Sequence, residues 1–308
     1  MNPDNIKRII KKGRIFRDEP MSAHTTFKVG GPAKMFVIPY NTEELAGLVR
    51  YLSNNEIPFY VTGNGSNLLV SDKGFDGVII NLGYNDDTEF TMLGYEEYEN
   101  GMMLDAGAGC LMSAVGKIAL NLGVTGFEPL SGIPGCVGGA VLMNAGAYGG
   151  EVKDVIYSVE AVTRKGNVIH LNIEDLSFGY RTSVIEKNDL IVARAEFFMP
   201  FGDKEKIQAQ MNECMRLRRE KQPLDKPSAG STFKRPEGYY AGALIEEAGL
   251  KGFAIGGAKV SEKHAGFVIN DGNATAADIY NIIKHIQKTV YERSSVELVP
   301  EVKMLGEF

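Results

Sequence analysis

Four short segments carry side chains suited to gripping an anionic substrate and moving a proton. Arg216, Arg218, Arg219 and Lys221 crowd the end of a predicted helix, where guanidinium forks can hold a diphosphate or a carboxylate. Cations at a helix C-terminus also complement its dipole without any ligand, so the segment alone leaves both readings open. Just downstream, Ala229-Gly230-Ser231-Thr232-Phe233-Lys234-Arg235-Pro236 sets the Ser231 hydroxyl after a glycine and near several cations, as a proton donor or as an ordinary turn residue. Tyr180-Arg181 and Glu301 are ambiguous singly. An exposed arginine after a turn, and a glutamate on an edge strand after Pro300, need no function.

Backbone chemistry is concentrated elsewhere, in the glycine-dense stretch 126–150, GFEPLSGIPGCVGGAVLMNAGAYGG. Gly132, Gly135, Gly138 and Gly139 let backbone N–H groups approach a bulky polar ligand that any Cβ would hold away. Pro134 stiffens the loop, and residues 137–144 can open a helix whose N-terminus favours an anion. A phosphate-bearing cofactor lying on this backbone and a flexible, buried Gly/Ala turn both fit. Gly63-Asn64-Gly65-Ser66-Asn67-Leu68 and Gly107-Ala108-Gly109-Cys110-Leu111-Met112 each resemble half of a dinucleotide fingerprint, but both lack the third glycine that lets helix and strand pack closely. A Rossmann site is therefore disfavoured, and the absence of GxxxxGK[ST] removes a P-loop. The 63–67 turn still offers consecutive N–H groups, the Ser66 hydroxyl and the Asn64 and Asn67 amides; its plain alternative is a hairpin turn. His24, His170, His264 and His285 show no paired spacing, so no metal centre is expected, and His264 reads as structural. No GxSxG elbow supports a hydrolase.

The elements that must position these groups follow from periodicity and caps. Helices are expected at 4–12, at 43–54 behind an Asn41/Glu44 capping box, at 111–122, from Asp203 to about 219, at 240–248, and at 275–292 behind a Thr275/Asp278 box. Strands are expected within 25–39 around Gly30-Gly31, at 58–61, 68–70, 78–81, 102–106, 155–162, 168–171 and 190–198, near Lys259 and Phe267, and at 298–305. The polar stretch 84–100 reads as a subdomain boundary or a hairpin. This mixture is α+β, without the steady alternation of a doubly wound sheet.

Bulk properties narrow the function. A net charge of −6 argues against a nucleic-acid partner. Cys110, Cys136 and Cys214 are isolated and odd in number, which fits a reducing cytoplasm better than a disulfide framework. The N-terminal residues mix charge through their apolar positions and do not read as a signal peptide, and no stretch offers the roughly 20 apolar residues that span a bilayer.

Taken together and in order, HTTFKVGGPA, TGNGSNLLVSD, PLSGIPGCVGGAVLMNAGAYG, FGYRTS, AGSTFKRP, LIEEAGLKGFAIGGAKVSEKHAGFVINDGNATAAD and PEVKML closely resemble the UDP-N-acetylenolpyruvoylglucosamine reductase family, from about Thr25 to Leu305. The resemblance implies an FAD-binding region in two parts, of the vanillyl-alcohol-oxidase (PCMH) type, plus a third α/β substrate-binding domain. The corresponding division is 1–82, 83–202 and 203–298, with 299–308 as a strand returning to the active site.

The resemblance also implies non-covalent FAD, NADPH as hydride donor, and reduction of an enolpyruvyl ether to a lactyl ether in peptidoglycan precursor synthesis. By similarity, Gly63, Asn64, Gly65, Ser66, Asn67, Leu68, Ser131, Gly132, Ile133, Pro134, Gly135, Gly138, Gly139, Asn144, Ala145, Gly146 and Arg218 hold FAD. Tyr180, Lys221 and Arg235 match substrate-binding positions, and Arg181, Ser231 and Glu301 match catalytic ones. Hydride delivery to the terminal carbon drives charge into the substrate carboxylate. Arg181, with Glu301 assisting, would stabilise that dianion, and Ser231 would protonate the neighbouring carbon. A monomer in the cytoplasm, without a nucleic-acid or membrane partner, is expected. The third domain is too short for the tyrosine loop that some members close over substrate, and Arg235 stands where others have Asn.

Overall fold

The computed structural model describes residues 3–83 and 87–308. In chain order the elements are α1 (Pro3–Ile9), β1 (Arg14–Pro20), β2 (Pro32–Ile38), α2 (Thr42–Asn54), β3 (Phe59–Thr62), β4 (Leu68–Val70), β5 (Phe75–Asn81), β6 (Leu93–Tyr98) and β7 (Gly101–Gly107). Then come α3 (Met112–Leu122), α4 (Val137–Leu142), β8 (Gly146–Ala147), β9 (Gly150–Glu151), β10 (Ile156–Val162), β11 (Val168–Asn172), α5 (Val184–Lys187) and β12 (Ile191–Pro200). The chain finishes with α6 (Lys204–Lys221), α7 (Ala241–Glu247), β13 (Ala254–Ile255), β14 (Ala258–Val260), β15 (Val268–Asn270), α8 (Ala276–Ser294) and β16 (Lys303–Leu305).

The described residues form two compact units, and the chain passes between them within β1, β2 and α6, after Asn64, and within β5. The first unit takes residues up to 16, 35–64 and 77–216. Its main sheet has the order β11-β10-β12-β7-β6, antiparallel throughout, and β3 runs parallel to β5 from Phe59↔Val78 to Thr62↔Asn81. Leu45, Leu48, Val49 and Leu52, spaced i, i+3, i+4 and i+7 on α2, are fully buried in its core, which also takes in Val115 and Ala119 of α3 and Val137 and Val141 of α4. The second unit takes 17–34, 65–76 and 217–308. Its core gathers Phe27, Val29 and Leu69 with the α8 face Ile279, Ile282, Ile283, Ile286 and Val290.

Local signals located the helices well. Asn41 caps α2 by accepting the Glu44 N–H, and Thr275 and Asp278 form a reciprocal capping box on α8. Three expectations need correction. Glu44 does not complete its box; its carboxylate instead accepts the N–H groups of Lys11, Lys12, Gly13 and Tyr40 at 2.7–3.1 Å. No strand occupies 25–28, where Thr25 Oγ1 donates to the Val29 carbonyl and Lys28 turns at φ +57°; β1 lies earlier, and its mostly exposed residues give no apolar alternation to read. The final strand is confined to Lys303–Leu305, parallel to β4. Of the two readings of the polar stretch 84–100 the hairpin is found, since β6 lies within it and pairs with β7 just beyond it; residues 84–86 lie outside the described ones.

Candidate active site

In the first unit the glycine-dense stretch wraps α4, and its geometry overturns one expectation. Cys136 is the N-cap without a side-chain bond, and the first helical N–H groups are already engaged: Val137 donates to the Cys110 carbonyl at 2.9 Å and Gly138 to the Ala108 carbonyl at 2.8 Å. Those groups cannot also cradle an anion. The 107–110 segment is structural for the same reason, since Gly107, Ala108, Gly109 and Cys110 donate to Met92, Ala193, Phe90 and Gly107 carbonyls. Ser131 is buried, with its hydroxyl on the Glu128 carbonyl and its N–H on Phe127. Ile133 donates to Leu130, the Gly135 carbonyl accepts from Met112, and Pro134 is exposed between them.

The glycines of α4 divide by what they face. A Cβ on Gly138 would meet the Ala108 Cβ at 3.0 Å, so that glycine serves close packing. A Cβ on Gly139, which is exposed, would meet nothing within 4 Å. Internal packing does not account for it, and the bare backbone there leaves room that a side chain would fill. The two glycine segments touch, because a Cβ on Gly63 would lie 3.1 Å from both Cβ and Sγ of Cys136. The Gly63 carbonyl is fixed by the buried Asn81 amide at 2.8 Å. Residues 63–67 are no hairpin turn: β3 pairs with β5, whereas β4 pairs with β16.

Asn144, 1% exposed and at φ +44°, is a junction. Its Nδ2 donates to Glu151 Oε2 at 2.8 Å and to the Gly179 carbonyl at 3.2 Å, while Oδ1 accepts the Lys153 N–H at 3.0 Å. Gly179 and Thr182 close a tight turn that presents Tyr180 to solvent and holds Arg181 at φ +55°. Arg181 Nη2 donates to the Gly146 carbonyl at 3.3 Å, and its guanidinium lies 5.2 Å from the Tyr180 ring centre. Ala145 is buried and donates to Ala140. The Lys153 ammonium, foremost, holds the Glu151 carboxyl below its ordinary 4.5 against the effect of burial; the Asn144 amide and the Arg181 charge act the same way as Lys153.

In the second unit Gly65 sits at φ +60°, where a Cβ would meet the His24 carbonyl at 2.1 Å, so only glycine fits. Ser66 is half-buried and Leu68 is buried in β4. Asn67 Nδ2 donates to the Glu301 carbonyl at 3.2 Å, and the Asn67 carbonyl accepts from Lys303 at 3.0 Å. The Glu301 N–H in turn donates to the Thr232 carbonyl at 2.8 Å, and Lys234 donates to Val299. The segments carrying Ser231 and Glu301 are thus neighbours. Thr232, fully buried, anchors this junction through its hydroxyl, which accepts the Val268 N–H at 3.1 Å. Ser231 itself is exposed, following Gly230 at φ +73°.

The basic run at the end of α6 splits. Arg216, which belongs to the first unit, makes two 2.7 Å bonds to Glu213. Arg218 is 6% exposed and donates to Gln222 Oε1, so it is no solvated dipole partner, whereas Lys221 is exposed. The Arg235 guanidinium stacks 4.1 Å over the exposed Tyr240 ring. His264 is structural: its Nδ1 accepts the Gly266 N–H, and burial lowers its pKa. Sequence reasoning missed Asn81, Glu151 and Thr232, since each acts on a segment that only folding brings near.

The residues present fit FAD on one observation of this structure: Gly139 offers unfilled backbone on α4, the helix whose N-cap Gly63 abuts. Comparison with known proteins agrees. A family model described as an FAD binding domain matches residues 33–172, and one described as the UDP-N-acetylenolpyruvoylglucosamine reductase C-terminal domain matches 222–305. The reductase of that name from Caldanaerobacter subterraneus subsp. tengcongensis is 49% identical over 99% of this chain and 98% of its own length. That from Clostridioides difficile is 45% identical over 98% and 97%. The crystal structure of UDP-N-acetylenolpyruvylglucosamine reductase from Thermus caldophilus superposes with a TM-score of 0.80 at 35% identity, over 96% of this chain and all of that one. These matches bear out an α+β fold with an FAD-binding region and a further C-terminal domain. The chain belongs to the UDP-N-acetylenolpyruvoylglucosamine reductase family and is an FAD-containing oxidoreductase of peptidoglycan precursor synthesis.

Proposed function

We propose that this chain reduces UDP-N-acetylglucosamine enolpyruvate to UDP-N-acetylmuramate with NADPH, and that Arg181, Ser231 and Glu301 carry the steps that fall to the protein. Bound FAD would supply the hydride chemistry that links NADPH to the terminal vinyl carbon. The protein's task is the charge that then accumulates on the substrate carboxylate. Arg181 supplies a fixed cation for it, with Glu301 assisting, and preorganised groups of this kind supply a large share of transition-state stabilisation. Ser231 gives its proton to the carbon next to the carboxylate. A serine is a weak acid, but a carbanion-like enolate is basic enough to take its proton.

The observation that carries this reading is the bond from Glu301 N–H to the Thr232 carbonyl, which makes the Ser231 and Glu301 segments neighbours. For the cofactor, Gly63, Asn64, Gly65, Ser66, Asn67, Leu68, Ser131, Gly132, Ile133, Pro134, Gly135, Gly138, Gly139, Asn144, Ala145, Gly146 and Arg218 remain the residues assigned, chiefly as backbone wall. Tyr180, Lys221 and Arg235 are assigned to substrate. The division at 82/83, 202/203 and 298/299 belongs to the same proposal, as do a monomeric state, a cytoplasmic location and a part in cell shape and division. No helix among the described residues is long and apolar enough to cross a membrane.

Anaerobic half-reactions test the function. NADPH should bleach the bound flavin, and the enolpyruvyl sugar nucleotide should restore its colour. Rapid reoxidation by oxygen but not by that substrate would overturn the assignment in favour of an oxidase.

A further inference from the structure

Glu151 has no part in the roles above, yet it bonds the Asn144 amide that holds the Arg181 turn and pairs with the strand that carries the Arg181 acceptor. We propose that Glu151, acting through Asn144, is a positioning residue for Arg181; this rests on the reading of Arg181 as the cation at the substrate carboxylate.

Three observations carry it. Arg181 sits in the left-handed region at φ +55°, a conformation uncommon for a side-chain-bearing residue that persists where neighbours enforce it. The enforcing contacts are the Gly179–Thr182 pair and the donation from Asn144 Nδ2 to the Gly179 carbonyl. Only the Nδ2 side of that amide can serve Gly179, so its orientation matters, and Glu151 on Nδ2 sets it together with the Lys153 N–H on Oδ1. With Glu151 Oε2 accepting Nδ2 at 2.8 Å, a flipped amide would turn its oxygen toward a carboxylate. The Lys153 ammonium, 2.7 Å from the same oxygen, keeps that carboxylate ionised.

The guanidinium is held by the same hairpin. Its partner, the Gly146 carbonyl, lies in β8, and Gly146 pairs with Glu151 of β9. A Cβ on Gly146 would meet Glu151 Cγ at 2.8 Å, so the glycine lets the Glu151 stem lie against the strand that carries the Arg181 acceptor. The backbone turn is therefore tied to the Glu151 carboxylate through Asn144, and the side-chain acceptor lies against the backbone and stem of the same residue. Asn144, expected to line the cofactor wall, has its amide engaged with Glu151, Gly179 and Lys153.

The test uses the FAD-loaded enzyme and separate anaerobic half-reactions. Glu151→Ala should slow substrate-driven reoxidation about tenfold or more, because misplacing a catalytic group by a fraction of an ångström to 1 Å costs that much. Reduction by NADPH and retention of FAD should be unchanged. Glu151→Gln keeps an acceptor for Asn144 and should recover most of the rate. In an Arg181→Ala background, Glu151→Ala should add no further loss. Equal slowing of both half-reactions, a fully additive loss, or a normal Glu151→Ala beside a slow Arg181→Ala would overturn the positioning role. A normal rate in Arg181→Ala would instead remove the reading of Arg181, and the positioning role with it. Should Glu151→Ala fail to fold, Glu151→Asp, which draws the carboxylate away from Asn144, must give the same pattern.

Discussion

The Glu301 N–H donates to the Thr232 carbonyl at 2.8 Å, one residue past Ser231. The segments that carry the assigned proton donor and the assigned acidic partner are thereby joined through main chain. The Thr232 hydroxyl and the Asn67 amide brace that joint from either side.

With that backbone scaffold intact, Ser231→Ala should lose only the hydroxyl. NADPH should reduce the flavin at the normal rate, while product formation falls by roughly a hundredfold or more, the usual contribution of a positioned proton donor. Stopped-flow absorbance of the flavin separates the two steps; near-normal product formation would remove Ser231 as the acid.

Arg181 at φ +55° offers a trade between stability and activity. Arg181→Gly relieves the backbone and should leave thermal stability equal or higher, by up to about 1 kcal/mol. Turnover should nevertheless drop by about a hundredfold. Calorimetry together with steady-state kinetics checks both halves, and a variant that is less stable yet fully active would contradict the assignment.

Gly138 and Gly139 should respond oppositely to the same added methyl. Gly139→Ala meets open space and improves helix propensity, so apo stability should hold or rise by up to about 1 kcal/mol, while FAD affinity falls. Gly138→Ala presses on Ala108 and should lower stability. Apo melting temperature and flavin titration distinguish the two. Unaltered FAD affinity in Gly139→Ala would remove that face as the cofactor wall.

Glu44 should contribute to acid lability in the first unit. Burial pushes its carboxyl up, but the N–H groups of Lys12, Tyr40, Lys11 and Gly13 outweigh it and leave the folded pKa below the ordinary 4.5. A depressed folded pKa means stabilisation that is complete above the unfolded value and is lost as pH falls through the folded one. Glu44→Gln should therefore be less stable than wild type at pH 7, by about 1.5–3 kcal/mol for loss of charged hydrogen bonding. The gap should close as pH is taken below 4.5, which urea unfolding across pH can measure.

Features encoded within a few residues were legible before folding. The Asn41 and Thr275 caps, helices α2 and α8, the neighbouring strands β10 and β11 and the start of α6 at Asp203 are all set by residues close in the chain. The segments expected to bear chemistry were legible too, as motifs. What escaped was any partner distant in sequence. Glu44 reads as half of a capping box, yet three of its four donors come from Lys11, Lys12 and Gly13. The edge strand β1 escaped because its residues are mostly solvent-facing, so no burial pattern marks it.

Sequence by itself determined the family, the α+β class and the candidate residues, because long motifs and local periodicity survive without coordinates. Tertiary structure alone decided which donors are still available for a ligand. The N–H groups of Val137 and Gly138 look like an anion site in one dimension, and are claimed in three by Cys110 and Ala108. Asn144 reads as cofactor wall, and its amide is claimed by Glu151, Gly179 and Lys153. A hydrogen-bonding group engaged within the fold is less able to serve a ligand as well, and which partner claims it depends on segments that only folding brings together.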